Sequence, residues 1–312
     1  MVRVFKRITA FALMAGLAAC QLVPVAQPVP PSTSAPQGPK QSLKSADMAR
    51  YYQRVESDLL VRGLLRVDGG GPDTPYTSAM LARNFEKVTF YDEHTIGTRV
   101  QRGTGQERLL SRWDQPVRIN VEYGPSVSDE IRAQDTAMIR EYAGRLSRIT
   151  GHPISAGRLR PNFHILVIGE DDKSAMTARI RALLPSLSAS ALAQIISPPR
   201  ATHCLVVVSH AEGPAPRILS AVAVVRAEHP DLLRRSCYHE EIAQGLGIVN
   251  DSPFARPSIF NDDDEFALLT SHDEALLAML YDPRLRIGMS AAEARPIVQT
   301  LAREKMGDGA ET

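Results

Sequence analysis

The sequence is poor in several features that would point directly to a function. It has one tryptophan and three cysteines among 312 residues, and aromatic residues make up only 5% of the chain. Its 36 lysines and arginines are balanced by 35 aspartates and glutamates, so it lacks a strong positive field and we expect no nucleic-acid partner. A hydrophobic content of 44% excludes a disordered chain, because it is enough to bury a substantial core.

Familiar catalytic and cofactor-binding signatures are also missing. The chain has no G-x-S-x-G turn for a serine nucleophile, no Walker loop for phosphates and no glycine fingerprint for a dinucleotide. The acidic run 261–265 lacks the alternating ligands and the glycine of an EF-hand, so it predicts a solvated loop rather than a calcium site.

The N-terminus has the pattern of an export signal. Three basic residues among the first seven precede the apolar stretch 8–17, which is too short to span a bilayer and predicts a signal peptide over residues 1–19. The segment 17–20, Leu-Ala-Ala-Cys, resembles a lipobox, in which cleavage precedes the cysteine and its thiol is lipidated. An ordinary secretory signal with a chance cysteine after the cleavage site is the alternative.

Lipidation of Cys20 predicts a lipoprotein whose acyl chains, such as palmitate, hold it to a membrane. Gln21, rather than an aspartate, follows the cysteine and favours the outer membrane, with the protein facing the periplasm. Residues 20–44 are rich in proline and serine and show no hydrophobic periodicity, so they predict an extended tether.

Two cysteines remain for the folded part of the chain. Cys204 and Cys237 form an even pair in an oxidising compartment, which is typical of a disulfide. The bond would join the start of a predicted strand to the start of a predicted helix. Two separate buried thiols are the alternative, since the sequence alone does not show that the cysteines meet.

Hydrophobic periodicity predicts strands and helices that alternate along most of the chain. Helical spacing of apolar residues is found over 45–66, 128–150, 171–184, 231–246 and 271–281. Strand-like runs are found over 117–123, 163–168, 205–208 and 218–225, the last two being candidates for a hairpin. Ser128 is a predicted N-cap. A weaker segment covers 77–89, with a strand expected to begin near Val88.

This order of elements predicts an α/β or α+β fold with one mixed sheet and flanking helices. The boundaries that follow are a helical extension over 45–112, a globular domain over 113–301 and a polar tail over 302–312.

The most informative segment is 237–250, Cys-Tyr-His-Glu-Glu-Ile-Ala-Gln-Gly-Leu-Gly-Ile-Val-Asn. Glu240 and Gln244 are four residues apart, so they share one face of a helix, with Glu241 beside them. In zinc peptidases the H-E-x-x-H pattern uses this spacing: two histidines bind the metal and the glutamate activates water. A register that begins at His239 fails, because the second ligand position would be an alanine.

The register that begins at Glu240 resembles the metzincin pattern H-E-x-x-H-x-L-G-L, with Asn250 at the third ligand position. Downstream, Phe260 stands where metzincins place a methionine beneath the metal, and 269–281 resembles the closing helix of matrix metalloproteases. The resemblance implies a zincin-like fold and a site formed by Glu240, Glu241, Gln244, Asn250 and Phe260. If the protein is active, the resemblance implies that Glu241 is catalytic.

The replaced ligands argue against a catalytic zinc ion. Glu240, Gln244 and Asn250 offer one carboxylate and two amide oxygens, whereas zinc prefers imidazole and thiolate. Such oxygens suit calcium or magnesium, and only weakly, so we expect no cofactor. A hydrogen-bonded polar network that lines a binding cleft is one interpretation. Glycan cleavage by Glu240 and Glu241 is another, although adjacent helical residues point about 100° apart.

The histidines are candidates for additional ligands, and a rearranged zinc site that uses His239 with His203 or His210 is an alternative. His239 is predicted to lie at the surface or behind the ligands, and His272 in the first turn of a helix without a chemical role. His203 and His210 bracket one predicted strand and are candidates for lining the same cleft as His239. No ligand spacing links these histidines.

The chain is also identified as a member of domain-of-unknown-function family 2927, a group of exported bacterial proteins. The residues that carry this resemblance lie in 113–117, 240–247, 250–252, 258–262 and 281–286. Three functions follow as hypotheses: a non-catalytic lipoprotein that binds a peptide or a peptidoglycan-linked partner, a periplasmic hydrolase with unusual or no metal ligation, and a structural envelope protein.

Overall fold

The structure, a computed structural model, describes residues 41–91, 94–96, 100–102, 105–157, 159–261 and 263–307. The predicted signal peptide, Cys20, most of the tether and residues 308–312 lie outside these ranges. The helices are α1 (Leu43–Val61), α2 (Ser78–Phe90), α3 (Asp129–Thr150), α4 (Lys173–Leu183), α5 (Ala189–Ile196), α6 (Asp231–Gln244), α7 (Ser271–Leu280) and α8 (Ala291–Met306). The strands are β1 (His94–Ile96), β2 (Val100–Arg102), β3 (Val117–Tyr123), β4 (Ile154–Ala156), β5 (Phe163–Ile168), β6 (Cys204–His210) and β7 (Ile218–Arg226). None of these helices is long and apolar enough to cross a membrane.

Five strands form one mixed sheet in the order β4-β3-β5-β7-β6, and β1 pairs with β2 in a separate antiparallel sheet. In the larger sheet β3, β4, β5 and β7 run parallel to one another, whereas β6 runs antiparallel to β7 at one edge. These pairings confirm the predicted α/β fold with one mixed sheet. They also confirm that β6 and β7 are hairpin partners.

The central strands are buried on both faces because helices cover each side of the sheet. On β7, the side chains of Ala221, Ala223 and Val225 belong to the main core, together with residues of α2, α3, α6, α7 and α8. Val222 and Val224 alternate with them and pack with α4 and α5 on the opposite face. The helix α6 therefore lies on the main-core face, where it contacts β6 and β7.

The predicted helical extension packs onto the rest of the fold. In α2, Leu81 and Phe85 are fully buried and belong to the main core. In α1, Tyr52 is fully buried in a smaller cluster that includes Leu233 of α6. The segment 45–112 thus shares its hydrophobic contacts with the predicted globular domain.

Several element boundaries differ from the sequence-based expectation. The strand predicted to begin near Val88 is wrong, since α2 continues as a helix to its end at residue 90. The carbonyl of Val88 accepts hydrogen bonds from the N–H groups of Val249 and Asn250, so a tertiary contact overrides the strand preference of β-branched residues. α5, α8 and β4 were not predicted. The N-cap at Ser128 is confirmed, because its hydroxyl accepts a backbone N–H of the first turn of α3.

Candidate functional site

The C-terminal end of α6 is held by close packing and by two side-chain hydrogen bonds. Trp113 Nε1 donates to the carbonyl of Gly245 over 2.8 Å. The hydroxyl of Tyr281 donates to the carbonyl of Leu246 over 2.9 Å. A Cβ atom on Gly245 would lie 2.5 Å from the ring of Phe163, so the close approach requires glycine. The two flanking motifs of the family resemblance thus meet at the end of this helix.

A disulfide joins Cys204, the first residue of β6, to Cys237 within α6. The predicted pairing is confirmed, and the two Cα atoms lie 5.8 Å apart. The expected position at the start of the helix is wrong, because α6 begins at Asp231 and Cys237 lies in its middle. The bond ties the edge strand of the sheet to the helix that carries the candidate site.

Glu240 and Glu241 lie one helical turn beyond Cys237, on the side of α6 that faces the disulfide. One oxygen from each carboxylate and the sulfur of Cys204 all lie within 4.8 Å of one another. Glu241 is buried, whereas Glu240 is partly exposed. Because a disulfide sulfur carries no thiolate, the oxidised cluster offers only carboxylate oxygens to a cation.

The amides predicted as metal-ligand positions are engaged in hydrogen bonds to other groups. Gln244 Nε2 donates to Asp251 Oδ1 over 3.1 Å, and Asn250 Nδ2 donates to the carbonyl of Lys87 at the same distance. Glu240, Gln244 and Asn250 therefore do not fit the zinc site that the metzincin pattern implies, since the donors are all oxygens and two of the side chains are tied to other groups. We derive no step through a metal at these positions.

Phe260, at the position of the metzincin methionine, is fully buried in the main core. Its backbone N–H donates to Ser258 Oγ over 3.0 Å, and Ser258 donates to the buried carboxylate of Asp273 over 2.5 Å. Thr270 Oγ1 donates to the same carboxylate over 2.8 Å, within the capping box of α7. The turn that contains Phe260 is thus anchored to the first turn of α7.

His239 is buried, so its predicted surface position is wrong. The N–H of Leu269 donates to His239 Nδ1 over 3.0 Å, and the imidazole stacks on the ring of Tyr142 with centroids 4.0 Å apart. Burial lowers the pKa of His239 to about 3, since the charged form is poorly solvated there. His239 is therefore neutral near pH 7 and acts as a hydrogen-bond acceptor for the backbone.

His229 is a residue that the sequence reasoning missed. It is buried, its Nδ1 lies 3.7 Å from the sulfur of Cys237, and the ring of Tyr52 packs against it with centroids 4.3 Å apart. Burial holds its pKa well below the usual range. Nε2 of His229 is buried and makes no hydrogen bond to any described residue. His229 lies next to Pro230 at the start of α6, and no metal-ligand spacing in the sequence singles it out.

His203 and His210 do not line one cleft. The ring of His203 packs beside His229 near the disulfide, with centroids 5.7 Å apart, whereas His210 lies at the other end of β6, where its Nε2 is 3.2 Å from Ser111 Oγ. His272 lies in the first turn of α7, as predicted, and is fully buried against Asn84. His203, which precedes Cys204, thus lies beside His229 and the disulfide, whereas His210 and His272 contact other parts of the fold.

The edge strand β6 directs part of its backbone away from the sheet. Ala221 N–H donates to the carbonyl of Asn162 beside β5, so alternate β7 residues from Ala221 onward pair with β5 and the residues between them pair with β6. Ala221 stands opposite Val208 in the antiparallel register. Cys204, Val206 and Val208 therefore point their backbone N–H and C=O groups outward. No backbone group elsewhere in the described ranges hydrogen-bonds to them.

A polar pocket of about 250 Å³ lies behind Trp113 and is lined also by His152 and Tyr281. The guanidinium of Arg112 in this pocket donates to backbone carbonyls just beyond α7, those of residues 280, 282 and 285. Burial lowers the pKa of His152, so this ring is neutral near pH 7. Arg112 thus caps the C-terminal end of α7 from within the pocket.

Comparison with known proteins identifies a family whose function is unknown. The family model described as "Protein of unknown function (DUF2927)" matches residues 78–300, so the chain belongs to this family. Neither a curated protein nor a solved structure matches the chain. The match includes α2 and all five strands of the large sheet, and it extends to the middle of α8.

Proposed function

We propose that this chain is a membrane-anchored lipoprotein of the cell envelope whose domain binds an extended peptide along β6 without hydrolysing it. The observation that carries the proposal is the outward-facing backbone of Cys204, Val206 and Val208, beside the carboxylates of Glu240 and Glu241. A peptide that adds a strand to an exposed sheet edge gains affinity from such main-chain groups and specificity from nearby side chains.

The direction and spacing of the donors support this mode of binding. Val206 and Val208 are two residues apart, so their outward groups repeat at about 6.6–6.8 Å, the period of an extended strand. An added strand would satisfy the N–H and C=O groups that β6 does not direct to β7. The peptide would lie over α6, since the side chains of these two valines pack against the main core on the α6 side.

The charge of the site favours a partner with basic side chains. Glu240 and Glu241 place two carboxyl groups close together at the Cys204 end of the edge. A lysine, an arginine or the amino-bearing residue of a peptidoglycan stem peptide would be attracted to them at this end. A peptide or peptidoglycan-linked partner is thus the class that the surface fits best.

The donor set supports binding rather than hydrolysis. Glu241 stands at the position of the metzincin catalytic glutamate, but its neighbours Gln244 and Asn250 hold their amides in hydrogen bonds to Asp251 and to the backbone of α2. A water-activating carboxylate needs a metal or a second group to polarise the scissile carbonyl. The residues at these positions supply neither imidazole nor thiolate.

The binding proposal is tested with Val206→Pro and its matched control Val206→Thr. Proline removes one outward N–H donor and is tolerated at a sheet edge, because that N–H has no partner in the ladder. Threonine keeps both the donor and the β-branched shape. Calorimetric titration with a short capped peptide of alternating valine and lysine should give a Kd about 5- to 10-fold weaker for the proline variant.

Equal affinity of the two Val206 variants would contradict the edge-binding model. Retention of the protein on intact peptidoglycan, competed by the peptide, would place the partner in the cell wall. Turnover of the peptide that Glu241→Gln abolishes would contradict the non-catalytic part and support a hydrolase instead.

The anchor proposal rests on the lipobox resemblance and is tested separately. Expression of the full chain with labelled palmitate in a Gram-negative host should label the protein and recover it in the outer-membrane fraction. The Cys20→Ser variant should remain unlabelled. Equal labelling of both proteins would contradict lipidation at Cys20.

A further inference from the structure

The disulfide lies among side chains that bind metals in other settings. The sulfur of Cys204 is within 4.8 Å of an oxygen of Glu240 and of Glu241. The sulfur of Cys237 is 3.7 Å from Nδ1 of His229. The disulfide thus has two carboxylates beside the sulfur of Cys204 and a buried imidazole beside the sulfur of Cys237.

We propose that reduction of the Cys204–Cys237 disulfide opens a zinc site formed by both thiolates, His229 and one carboxylate of Glu240 or Glu241. Thiolate, imidazole and carboxylate are the ligands that zinc prefers, usually four in a tetrahedron. This set differs from the Glu240, Gln244 and Asn250 set of the metzincin pattern. It does not depend on peptide binding at β6.

One ligand pair is already at the separation found in a zinc site. Ligand atoms around tetrahedral zinc lie roughly 3.3–3.8 Å apart, given metal–ligand bonds of about 2.0–2.3 Å. The separation of 3.7 Å between Cys237 Sγ and His229 Nδ1 falls in this range without any movement. The two sulfurs must separate, which reduction of their bond permits.

The buried imidazole presents one of its two nitrogens to the disulfide. His229 is 3% exposed, and its Nδ1 faces the sulfur of Cys237. Neutral imidazole binds zinc through the nitrogen that carries no proton. Zinc at Nδ1 therefore requires the tautomer with the proton on Nε2, an atom that has no hydrogen-bond partner among the described residues.

The reaction needs a two-electron reductant of the dithiol class. The dithiol is oxidised to its own disulfide, the Cys204–Cys237 bond breaks, and each protein sulfur takes one proton. Zinc then displaces both protons as the thiolates bind it. Cys204 is partly exposed, so a reductant can reach this sulfur.

The test titrates zinc into the full chain, solubilised in detergent, before and after reduction with a phosphine that itself binds zinc weakly. A chromogenic chelator reports the affinity. The reduced chain should bind one zinc ion per molecule, and the oxidised chain should not compete with the chelator. Cobalt in place of zinc should give a thiolate-to-cobalt charge-transfer absorption, which is a signature of the sulfur ligands.

Carboxylate variants distinguish a zinc site that uses Glu240 or Glu241 from zinc binding by the two thiolates alone. The double variant Glu240→Gln/Glu241→Gln should weaken zinc binding of the reduced chain by about 100-fold or more, since loss of even an outer-shell partner costs 10- to 100-fold. Glu130→Gln, at an exposed glutamate in the first turn of α3, is the matched control and should leave the affinity unchanged. Near-ultraviolet circular dichroism checks that each reduced protein is folded.

Two outcomes would overturn the proposal. One is a reduced chain that binds zinc no more tightly than the Cys204→Ser/Cys237→Ser variant. The other is equal zinc affinity of the carboxylate double variant and of Glu130→Gln. Two thiols in an unfolded chain would give the same result, because they bind zinc without the carboxylates.

Discussion

The helix α6 carries two polar clusters of different composition. Up to its middle, Arg234 and Tyr238 both donate to the carboxylate of Asp135, over 2.9 Å and 2.6 Å. Closer to its C-terminal end, Glu240 and Glu241 place two carboxyl groups close together beside a disulfide. The first cluster pairs a buried carboxylate with a guanidinium and stabilises the fold. The second lies at the open edge of the sheet, where we propose that a ligand binds.

The largest expected loss of stability comes from breaking the Asp135 cluster. Asp135→Asn removes the negative charge from a pair in which both side chains are nearly inaccessible to solvent. Loss of one partner of a buried ion pair costs about 3–5 kcal/mol, because the other charge is left uncompensated. Urea denaturation should show this loss of unfolding free energy. Asp129→Asn, at an exposed side chain of α3, is the control and should leave stability unchanged.

The same variant tests whether the two clusters of α6 are independent. An Asp135→Asn protein that still folds should bind the valine–lysine peptide, and after reduction zinc, as tightly as the wild type does. Loss of either affinity in a folded Asp135→Asn protein would contradict the division of α6 into a structural and a ligand-binding half.

The disulfide is expected to stabilise the fold by a similar or slightly smaller amount. Its cysteines are 33 residues apart, and closing a loop of this length lowers the entropy of the unfolded chain by the equivalent of about 3–4 kcal/mol. The Cys204→Ala/Cys237→Ala variant should lose this much in urea denaturation. Reduced wild-type protein should lose as much and recover part of it when zinc is added. Absence of any recovery would argue against the reduced metal site.

A smaller effect tests the packing that holds the end of α6. Gly245→Ala would bring a Cβ atom to 2.5 Å from Phe163, and overpacking of this kind costs about 1–3 kcal/mol. Gly144→Ala is the matched control inside α3, where the nearest atom is the end of the Arg148 side chain at 3.6 Å. It should stabilise the protein by about 0.5–1 kcal/mol, because alanine favours helix. Thermal unfolding that moved in the same direction for both variants would contradict this packing.

A further expected effect, spread over several pH units, is a dependence of stability on pH. Burial lowers the pKa of His239 to about 3 and of His210 to about 4, whereas an unfolded histidine titrates near 6.5. Below this value the unfolded chain binds protons that the folded chain does not. The stability from these neutral histidines is thus complete above pH 6.5 and falls as pH decreases toward about 4.

Each of these histidines should contribute a slope of at most about 1.4 kcal/mol per pH unit in this window. Urea denaturation at a series of pH values measures it. His210→Gln keeps a polar atom near Ser111 and should make the slope shallower. An unchanged slope in this variant would show that His210 does not titrate differently in the two states.

The sheet was predictable because its strands are marked by local patterns of apolar residues. The disulfide was predictable because the folded part of the sequence offers only one pair of cysteines. The continuous apolar run of β5 and the spacing of β6 and β7 indicate a buried strand and an edge hairpin, and each of the two cysteines of the folded part has only the other as a partner. α8 was missed since Pro296 lies inside it, and an interior proline argues against a helix. The strand expected near Val88 failed because its backbone partner is Asn250, far away in sequence.

The candidate site was predictable only in part. The spacing of Cys237, Glu240 and Glu241 on one helix is visible in the sequence. Their proximity to Cys204 depends on which strand forms the edge of the sheet, and His229 carries no ligand spacing that marks it. The hydrogen-bond partners of Gln244 and Asn250, which are Asp251 and the carbonyl of Lys87, could not be predicted from spacing, because the fold determines them.

The measurement that tests the central claim most directly is amide hydrogen exchange along β6, with and without the valine–lysine peptide. In the free protein the amides of Leu205, Val207 and Ser209, which pair with β7, should exchange slowly, while those of Val206 and Val208 should exchange fast. Peptide binding should slow the amides of Val206 and Val208, and the peptide should remain intact. No change at Val206 and Val208 when the protein is saturated with peptide would contradict edge binding.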